Sequence, residues 1–350
     1  MHPTINRPPR GPAGARTGHR RRRTSHTLLI ALACLAVVGG LAGLAAAKLP
    51  RSPAQPTALP WPAAPSSGTS TPAARSAPPG QPQLSAVSWP ADGVSAAGIR
   101  GYGVTDGPGA TRPVPIASVA KLMTAYVILQ DHPLSVDGSG PDVTVEPSEA
   151  AQYPSQVAAG DSLVAVAAGE TLTERQALEA LLLPSADNMA WILARWDAGR
   201  PAAFAARMNA AARSLAMTGT SYTDPSGLDP STTSTAADQV RLGIAAMGVP
   251  ALAAITAEST AVVPVAGLVR NTNTLLGQGG IVGLKTGSTQ AAGGCLLVAA
   301  WRKVNGHNTL IVAATFGHPG TAGTILPNAL QAGHNLVLAL DAALDSRDHL

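Results

Sequence analysis

Residues 283–315, GLKTGSTQAAGGCLLVAAWRKVNGHNTLIVAAT, predict the architecture of the C-terminal part of this chain. Two runs rich in β-forming residues, 295–304 and 309–315, are joined through Asn305-Gly306. An Asn-Gly dipeptide supplies the positive φ angles of a tight hairpin turn, so the two runs are expected to pair as antiparallel strands. The residues just before them, 285–288, are expected to form an exposed strand edge.

The segments upstream and downstream complete the outline of this domain. Residues 95–104 have the alternating side-chain pattern of a strand and end in Gly-rich turns, which predicts a strand followed by a hairpin. Four further segments have the apolar periodicity of helices: 116–130, 172–196, 202–217 and 326–344. The order is strands, many helices, antiparallel strands and a last helix. This order predicts an α+β fold in which helices cover an antiparallel sheet.

Charge is unevenly distributed along the 350 residues. The net charge is +4, but residues 1–91 contain ten Arg and Lys and no acidic residue, so the rest of the chain carries −6. The basic character therefore belongs to the N-terminal tail, residues 1–26, and the mildly acidic body is not expected to bind nucleic acid.

Residues 27–47 are uncharged and rich in Leu, Ala and Val. Twenty or so apolar residues span a bilayer as a helix, and the arginines at 20–23 place the N-terminus in the cytoplasm. We expect a single-pass cell-membrane protein with an extracellular domain. A signal peptide cleaved near 45–47, which would release a secreted protein, and a weaker lipoprotein signal at Cys34 are the alternatives.

Residues 48–83 are rich in Pro, Ala and Ser and predict a disordered spacer before the domain at 84–350. Cys34 lies in the apolar segment, so it cannot pair with Cys295, which we expect to be a buried core residue. The eight histidines show no metal-binding spacing, and no metal or cofactor is expected.

The first motif that carries chemistry is Ser118-Val119-Ala120-Lys121. On a helix, residues three apart share a face, so the serine hydroxyl and the lysine amine come within hydrogen-bonding reach. A partly desolvated lysine near the helix N-terminus is biased towards its neutral form and accepts the serine proton. Taken alone, the same pattern also describes a helix cap beside a surface lysine.

Two further motifs follow at 67 and about 100 residues' distance. Ser185-Ala186-Asp187-Asn188 comes after an apolar helical run and could place a second hydroxyl in a cleft, or simply mark a helix boundary. Lys285-Thr286-Gly287-Ser288 offers a cation, a hydroxyl and a bare glycine that an extended peptide could approach; alone, it describes a solvated turn. Ser-x-x-Lys, Ser-x-Asp/Asn and Lys-Thr-Gly in this order are the set of penicillin-binding proteins and class A β-lactamases.

The domain resembles the low-molecular-mass penicillin-binding D-alanyl-D-alanine carboxypeptidases of peptidase family S11. The resemblance covers nearly the whole domain and rests on these segments: 117–125, 208–209, 224–228, 234–236, 271–273 and 283–289. It implies the serine β-lactamase and penicillin-binding-protein-like transpeptidase fold, with a helical subdomain beside the sheet. It also implies an enzyme that removes the last D-alanine from peptidoglycan stem peptides, and that β-lactams inhibit covalently.

The resemblance implies a role for each motif residue. Ser118 is the nucleophile and Lys121 the proton acceptor, while Ser185 passes that proton towards the leaving amine. Lys285 keeps the local field positive and, with Thr286, Gly287 and Ser288, binds substrate; the backbone N–H groups of Ser118 and Ser288 bind the oxyanion. Asp187 and Asn188 are the remaining candidate substrate-binding residues.

The middle motif departs from the family pattern, which commonly has Asn where this chain has Asp187. Either the carboxylate pairs with Lys121 and raises its pKa, or Asn188 supplies the amide through a shifted loop.

Between 185 and 285 the only glutamate is Glu258, outside any Glu-x-x-Leu-Asn pattern. The chain therefore lacks the water-activating glutamate of class A β-lactamases.

Other functions on this scaffold remain open from the sequence. An endopeptidase, a transpeptidase or a β-lactamase would use the same three motifs. A non-catalytic cell-wall-binding relative is the alternative from a different class, and the intact Ser118, Lys121 and Lys285 argue against it.

Overall fold

The computed structural model describes residues 87–304 and 306–345. The chain divides into two units, residues 1–57 and 58–350, and the described residues belong to the second. The arginine-rich tail, the apolar segment 27–47 with Cys34, and the linker 48–83 lie outside the described residues. Among the helices that are described, none is by itself long and apolar enough to cross a membrane. Two consecutive helices, Ala236–Ala246 and Pro250–Ala257, reach that length and apolar composition only together, and the chain bends by 107° between them.

A five-stranded antiparallel sheet forms the centre of the domain, in the order β2-β1-β11-β10-β9. Its strands are β1 (Val94–Ile99), β2 (Gly103–Asp106), β9 (Ile281–Thr289), β10 (Gly293–Val304) and β11 (His307–His318). Three two-stranded pairs lie outside it: β3 (Val114–Pro115) with β6 (Thr233–Ser234), β4 (Asp142–Thr144) with β5 (Thr171–Thr173), and β7 (Thr260–Val263) with β8 (Gly267–Arg270).

Eight α-helices are found in the described part of the chain: α1 (Ala120–Asp131), α2 (Pro147–Ala159), α3 (Glu174–Leu182), α4 (Asp187–Ala198), α5 (Pro201–Ser214), α6 (Ala236–Ala246), α7 (Pro250–Ala257) and α8 (Ile325–Asp345). Two 3₁₀ turns accompany them, Ala117–Val119 and Gln278–Gly280. The predicted α+β layout is confirmed, since helices cover an antiparallel sheet.

The predicted hairpin is present and is formed by β10 and β11, two inner strands of the sheet. Val304 pairs with His307, so the connection is two residues long, and Gly306 has a φ of +77°. The predicted helix at 172–196 is wrong in two respects: its first two residues belong to β5, and it is interrupted between α3 and α4 at residues 183–186. The strand and hairpin predicted at 95–104 are present, because β1 and β2 pair as antiparallel strands.

Two apolar layers enclose the sheet. Along β10, the odd-numbered side chains from Cys295 to Ala299 belong to the core shared with α1 and α3 to α7, and the even-numbered ones from Leu296 to Ala300 belong to the core under α8. Side chains of a strand point alternately to opposite faces. Because both faces are covered, this strand is continuously apolar, and Cys295 is fully buried as expected.

Helix α1 lies inside the helical layer, with every residue from Ala120 to Leu129 buried. Its N-terminus meets the edge strand β9, which places the first and the third motif side by side. The break between α3 and α4 carries the second motif. The fold thus positions all three around the start of α1.

Candidate active site

Ser118 lies in the 3₁₀ turn Ala117–Val119, which runs directly into α1. The Lys121 Nζ atom is 2.7 Å from Ser118 Oγ. Ser118 is partly exposed, whereas Lys121 is completely buried. The structure therefore brings the first pair of predicted residues into contact, as their spacing of three predicts.

The Lys121 amine has three oxygen atoms around it. Besides Ser118 Oγ, these are Asp187 Oδ1 at 2.6 Å and the backbone carbonyl of Ser226 at 3.1 Å. A carboxylate and a carbonyl can only accept hydrogen bonds. In a neutral amine they take both N–H bonds, so the lone pair is left to face the Ser118 hydroxyl. The same three contacts match the three N–H bonds of the protonated amine.

Burial controls the charge of the two motif lysines. It lowers the pKa of Lys121, and the negative charge of Asp187 opposes this change. Burial also holds the pKa of Lys285 well below its usual range; the positive charge of Lys121 lowers it further, and Asp187 opposes the change. A lowered pKa favours the neutral amine that a general base requires.

The Ser226 carbonyl belongs to a loop, 224–232, to which the sequence assigns no role. Asp224 organises this loop, because its carboxylate accepts hydrogen bonds from the Gly227 N–H at 2.8 Å, the Thr232 hydroxyl at 2.9 Å, the Asp229 N–H at 3.0 Å and the Ser226 hydroxyl at 3.1 Å. Asp224 is buried. The loop is therefore a rigid support for one of the lysine's two acceptors.

The same loop contacts Ala117, the residue before Ser118. A β-carbon on Gly227 would lie 1.9 Å from the carbonyl oxygen of Ala117. Ala117 has a φ of +47°, in a region that residues other than glycine rarely adopt. On the other side, the Thr124 hydroxyl donates to the Pro225 carbonyl at 2.6 Å. The sequence Asp-Pro-Ser-Gly signals a turn, but not what the turn contacts.

Ser185 and Asp187 lie at the break between α3 and α4. Ser185 is buried and has a φ of +68°. No hydrogen bond of its hydroxyl is found within the described residues. Asp187 is the first residue of α4, and its Oδ2 atom accepts a hydrogen bond from the Ser162 N–H at 3.0 Å. The carboxylate thus lies between a loop and Lys121, both of which fix its orientation.

Asn188 does not contact Lys121. Its side chain is buried, donates to the Val164 carbonyl at 2.8 Å, and accepts from the N–H groups of Val164 at 3.3 Å and Met189 at 3.1 Å. The expectation that Asn188 supplies an amide through a shifted loop is therefore not met, since its amide is used to hold the loop near residue 164. Asp187 is the residue that meets the lysine.

The third motif lies on β9, the edge strand of the sheet. The expected exposed edge is only partly present, because the side chains of Lys285 and Thr286 are buried and only that of Ser288 is exposed. The Lys285 amine donates to the Thr286 carbonyl at 2.9 Å. The Thr286 hydroxyl is 2.6 Å from that of Thr272, whose N–H donates to the Leu183 carbonyl. These contacts connect β9 to the end of α3.

Gly287 faces the 3₁₀ turn Ala117–Val119. A β-carbon at this position would lie 2.9 Å from the backbone nitrogen of Ser118 and 3.0 Å from that of Val119. From the sequence, we expect a substrate peptide to approach the backbone of Gly287. In the structure, the backbone of the turn packs against this glycine instead. The glycine therefore sets the distance between the turn and the strand. The two oxyanion donors that the resemblance implies are one backbone N–H group of each, those of Ser118 and Ser288.

The arrangement has the parts required for acyl transfer. A partly exposed hydroxyl, a buried amine 2.7 Å from that hydroxyl, and a second buried amine lie near the start of α1. In the part of the chain that the structure describes, no group of three or more His, Cys, Asp or Glu side chains is placed to hold a metal ion.

Comparison with known proteins gives relatives of one kind. A family model described as D-alanyl-D-alanine carboxypeptidase, Peptidase_S11, matches residues 108–317. The chain is 40% identical over 161 residues to D-alanyl-D-alanine carboxypeptidase DacB2 of Mycobacterium tuberculosis, covering 44% of this chain and 54% of the relative. It is 36% identical over 192 residues to a D-alanyl-D-alanine endopeptidase of Pseudomonas aeruginosa, covering 53% and 59%. The chain thus spans little more than half the length of these relatives.

Solved structures share the fold. The crystal structure of D-alanyl-D-alanine carboxypeptidase from Mycobacterium tuberculosis H37Rv aligns with a TM-score of 0.62 and 32% identity, over 75% of this chain and 96% of that one. A mutant of the Streptomyces K15 DD-transpeptidase aligns with a TM-score of 0.62 and 25% identity, over 73% and 100%. Since the family model matches more than half of the sequence and includes all three motifs, the chain belongs to the D-alanyl-D-alanine carboxypeptidase family, peptidase S11.

Proposed function

We propose that this protein is a serine-type D-alanyl-D-alanine carboxypeptidase that trims peptidoglycan stem peptides through an acyl-enzyme on Ser118. The observation that carries the proposal is the contact of 2.7 Å between Ser118 Oγ and a buried lysine amine whose other two neighbours can only accept hydrogen bonds. Family membership supports the substrate class, a peptide that ends in D-Ala-D-Ala.

In the proposed reaction, Ser118 Oγ attacks the carbonyl carbon between the two D-alanines while its proton moves to Lys121. The backbone N–H groups of Ser118 and Ser288 stabilise the oxyanion, an interaction that is worth about 3 kcal/mol for one donor. The C–N bond then breaks as the leaving amine takes up a proton, for which the unpaired Ser185 hydroxyl is the intermediate carrier. Water hydrolyses the remaining ester and releases the shortened peptide.

Thr286 and Lys285 are suited to the terminal carboxylate of the substrate. The Thr286 hydroxyl contacts Thr272 in the free protein, and its proton can turn towards a carboxylate when a substrate enters. Lys285 is buried, and the negative charge of a bound substrate carboxylate would raise its pKa and so favour its protonated form.

An endopeptidase is the second candidate, because relatives in Pseudomonas aeruginosa and Escherichia coli bear that name. Both activities cleave after the same D-alanine and differ in what leaves. Product analysis separates them: D-alanine from a stem pentapeptide indicates a carboxypeptidase, and monomers from a cross-linked dimer indicate an endopeptidase. Joining of two peptides would indicate a transpeptidase, and hydrolysed chromogenic β-lactam a β-lactamase.

Covalent labelling with a fluorescent penicillin tests the acyl-enzyme. We expect the full chain to be labelled, Ser118→Ala to lose the label, and Ser155→Ala, which changes an exposed serine of α2, to keep it. A folded protein that is not labelled would contradict the proposal and favour a non-catalytic wall-binding relative.

We also propose that the domain works outside the cell at the membrane. The apolar segment 27–47, the arginines before it and the Pro-rich residues 48–83 support an anchor and a spacer. Protease protection of the N-terminal tail in cells, with digestion of the domain from outside, tests this orientation. A mature chain that begins after residue 47 would instead indicate a cleaved signal peptide and a secreted enzyme.

A further inference from the structure

A cavity of about 470 Å³ lies apart from the three motifs. Its walls are residues 88–92 before β1, the end of β11 and one side of α8. The apolar side chains here belong to the core under α8, on the opposite face of the sheet from the core that contains α1. The volume is within the range of small-molecule sites.

One wall of the cavity is a row of carboxamides. Asn328, Gln331 and Asn335 line it at spacings of three and four, so they share one side of α8. Asn328 donates to the Pro319 carbonyl at 2.8 Å, and Gln331 donates to Asn335 Oδ1 at 2.9 Å. These bonds orient the amides and leave free the oxygens of Asn328 and Gln331 and the amino group of Asn335.

The other wall is apolar. Trp89 is half-buried, and its ring lies against the backbone of Gly107. Ala339 of α8 also lines the cavity and is half-buried, whereas Leu336 in the same lining is completely buried. An indole ring provides a flat, rigid surface at small cost in conformational entropy.

The charge of the lining limits what it can bind. Within the described chain no lysine or arginine lines the cavity, and the only carboxylate in its wall is that of Asp92. The His318 ring is 2.5 Å from the Thr315 hydroxyl, and burial lowers its pKa, so it is neutral near pH 7. A phosphate or a carboxylate would find no cation here.

We propose that this cavity binds a neutral saccharide that carries acetamido groups. Free amide donors and acceptors in a row match hydroxyl and acetamido groups, and the half-buried Trp89 ring matches the C–H face of a sugar ring. The proposal does not rest on the peptidase activity, since the cavity shares no residue with the three motifs.

Isothermal titration of the full chain in detergent with the tetramer of N-acetylglucosamine tests the proposal. We expect saturable binding, and binding at least about tenfold weaker for maltotetraose, which lacks acetamido groups. Binding of the tetramer should be weakened by Gln331→Ala alone and by the double variant that combines Gln331→Ala with Asn335→Ala. Asn308→Ala, which removes an exposed amide at the far end of β11, should not.

The thermal unfolding midpoint of each variant shows whether it is folded. Absence of binding at millimolar ligand would overturn the proposal, as would equal binding of maltotetraose or unchanged affinity in a folded variant of Gln331. Because the readout is binding heat, these outcomes are independent of whether Ser118 reacts with penicillin.

Discussion

The Lys121 amine and the Asp187 carboxylate form a buried ion pair with an N–O distance of 2.6 Å. The carboxylate favours the protonated amine, whereas burial favours the neutral one, and burial is the larger effect. Burial therefore leaves the pKa of Lys121 below its usual value although a carboxylate replaces the asparagine of the family pattern.

Asp187→Asn should retain or raise activity. The amide oxygen can still accept from Lys121, but without the negative charge the pKa of the lysine falls further, so more of the base is neutral at pH 7. We expect kcat/KM for a D-Ala-D-Ala peptide to be unchanged or raised by up to about tenfold, with the acidic limb of its pH profile shifted to lower pH.

Asp161→Asn is the matched control, because Asp161 acts on Lys121 only through its charge. It should shift the same limb by less. A large loss of activity in Asp187→Asn would show that the carboxylate itself is required.

Gly287→Ala should damage catalysis more than folding. The new methyl group would press on the Ser118 and Val119 nitrogens, and a displacement of about 1 Å can cost roughly a hundredfold in rate. The rate of penicillin labelling measures the effect. Gly323→Ala, where a β-carbon meets nothing within 4 Å, should label at the normal rate, and normal labelling of both variants would contradict the steric argument.

Gly227→Ala should destabilise the domain itself. Its β-carbon would overlap the Ala117 carbonyl oxygen, and the residue has a φ of +79°. We expect a loss of about 3 kcal/mol in the free energy of unfolding, measured with urea. Gly160→Ala separates strain from overlap, because Gly160 has a φ of +82° but open space around it, and should lose only about 1 kcal/mol. Equal losses of stability in the two variants would show that overlap with Ala117 is not the cause.

Glu174→Gln should change how stability depends on pH. Glu174 is fully buried with both carboxylate oxygens unpaired, and burial raises its pKa to about 7. The folded protein keeps this proton up to about pH 7, whereas the unfolded chain loses it near 4.5. The side chain's contribution to stability is therefore lost as pH rises through 7.

Glu174→Gln and the wild type should have similar free energies of unfolding at pH 5. At pH 8 the free energy of unfolding of the variant should be higher by about 2 kcal/mol. Asp137→Asn, on an exposed loop, should leave the difference between the two pH values unchanged. A Glu174→Gln curve parallel to that of the wild type would exclude Glu174 as the titrating group.

A penicillin adduct should persist. The only glutamate between 185 and 285, Glu258, is paired with Arg175 at 2.5 Å, so its carboxylate is engaged elsewhere. Without the water-activating glutamate of class A β-lactamases, we expect the adduct mass to remain on the protein for longer than a peptide turnover. Intact-protein mass spectrometry after removal of free penicillin measures this, and rapid return to the unmodified mass would support a β-lactamase.

The sequence predicts those parts of the fold that are local. The hairpin at Asn305-Gly306 and the contact of Ser118 with Lys121 follow from dipeptide and helix geometry. The contact of Lys121 with Ser226 does not, because 105 residues separate them. Nor do the positive φ angles of Ala117 and Ser185, since neither is a residue type that signals this conformation; tertiary contacts impose it.

The reach of the 224–232 loop back to Ala117 and Lys121 has a consequence for the timing of reactivity. The loop is made long after the serine during synthesis, so an emerging or truncated polypeptide would carry an ordinary, unreactive hydroxyl. Under the proposed function, Ser118 would reach its full reactivity only in a chain folded past this point, once the Ser226 carbonyl accepts from Lys121.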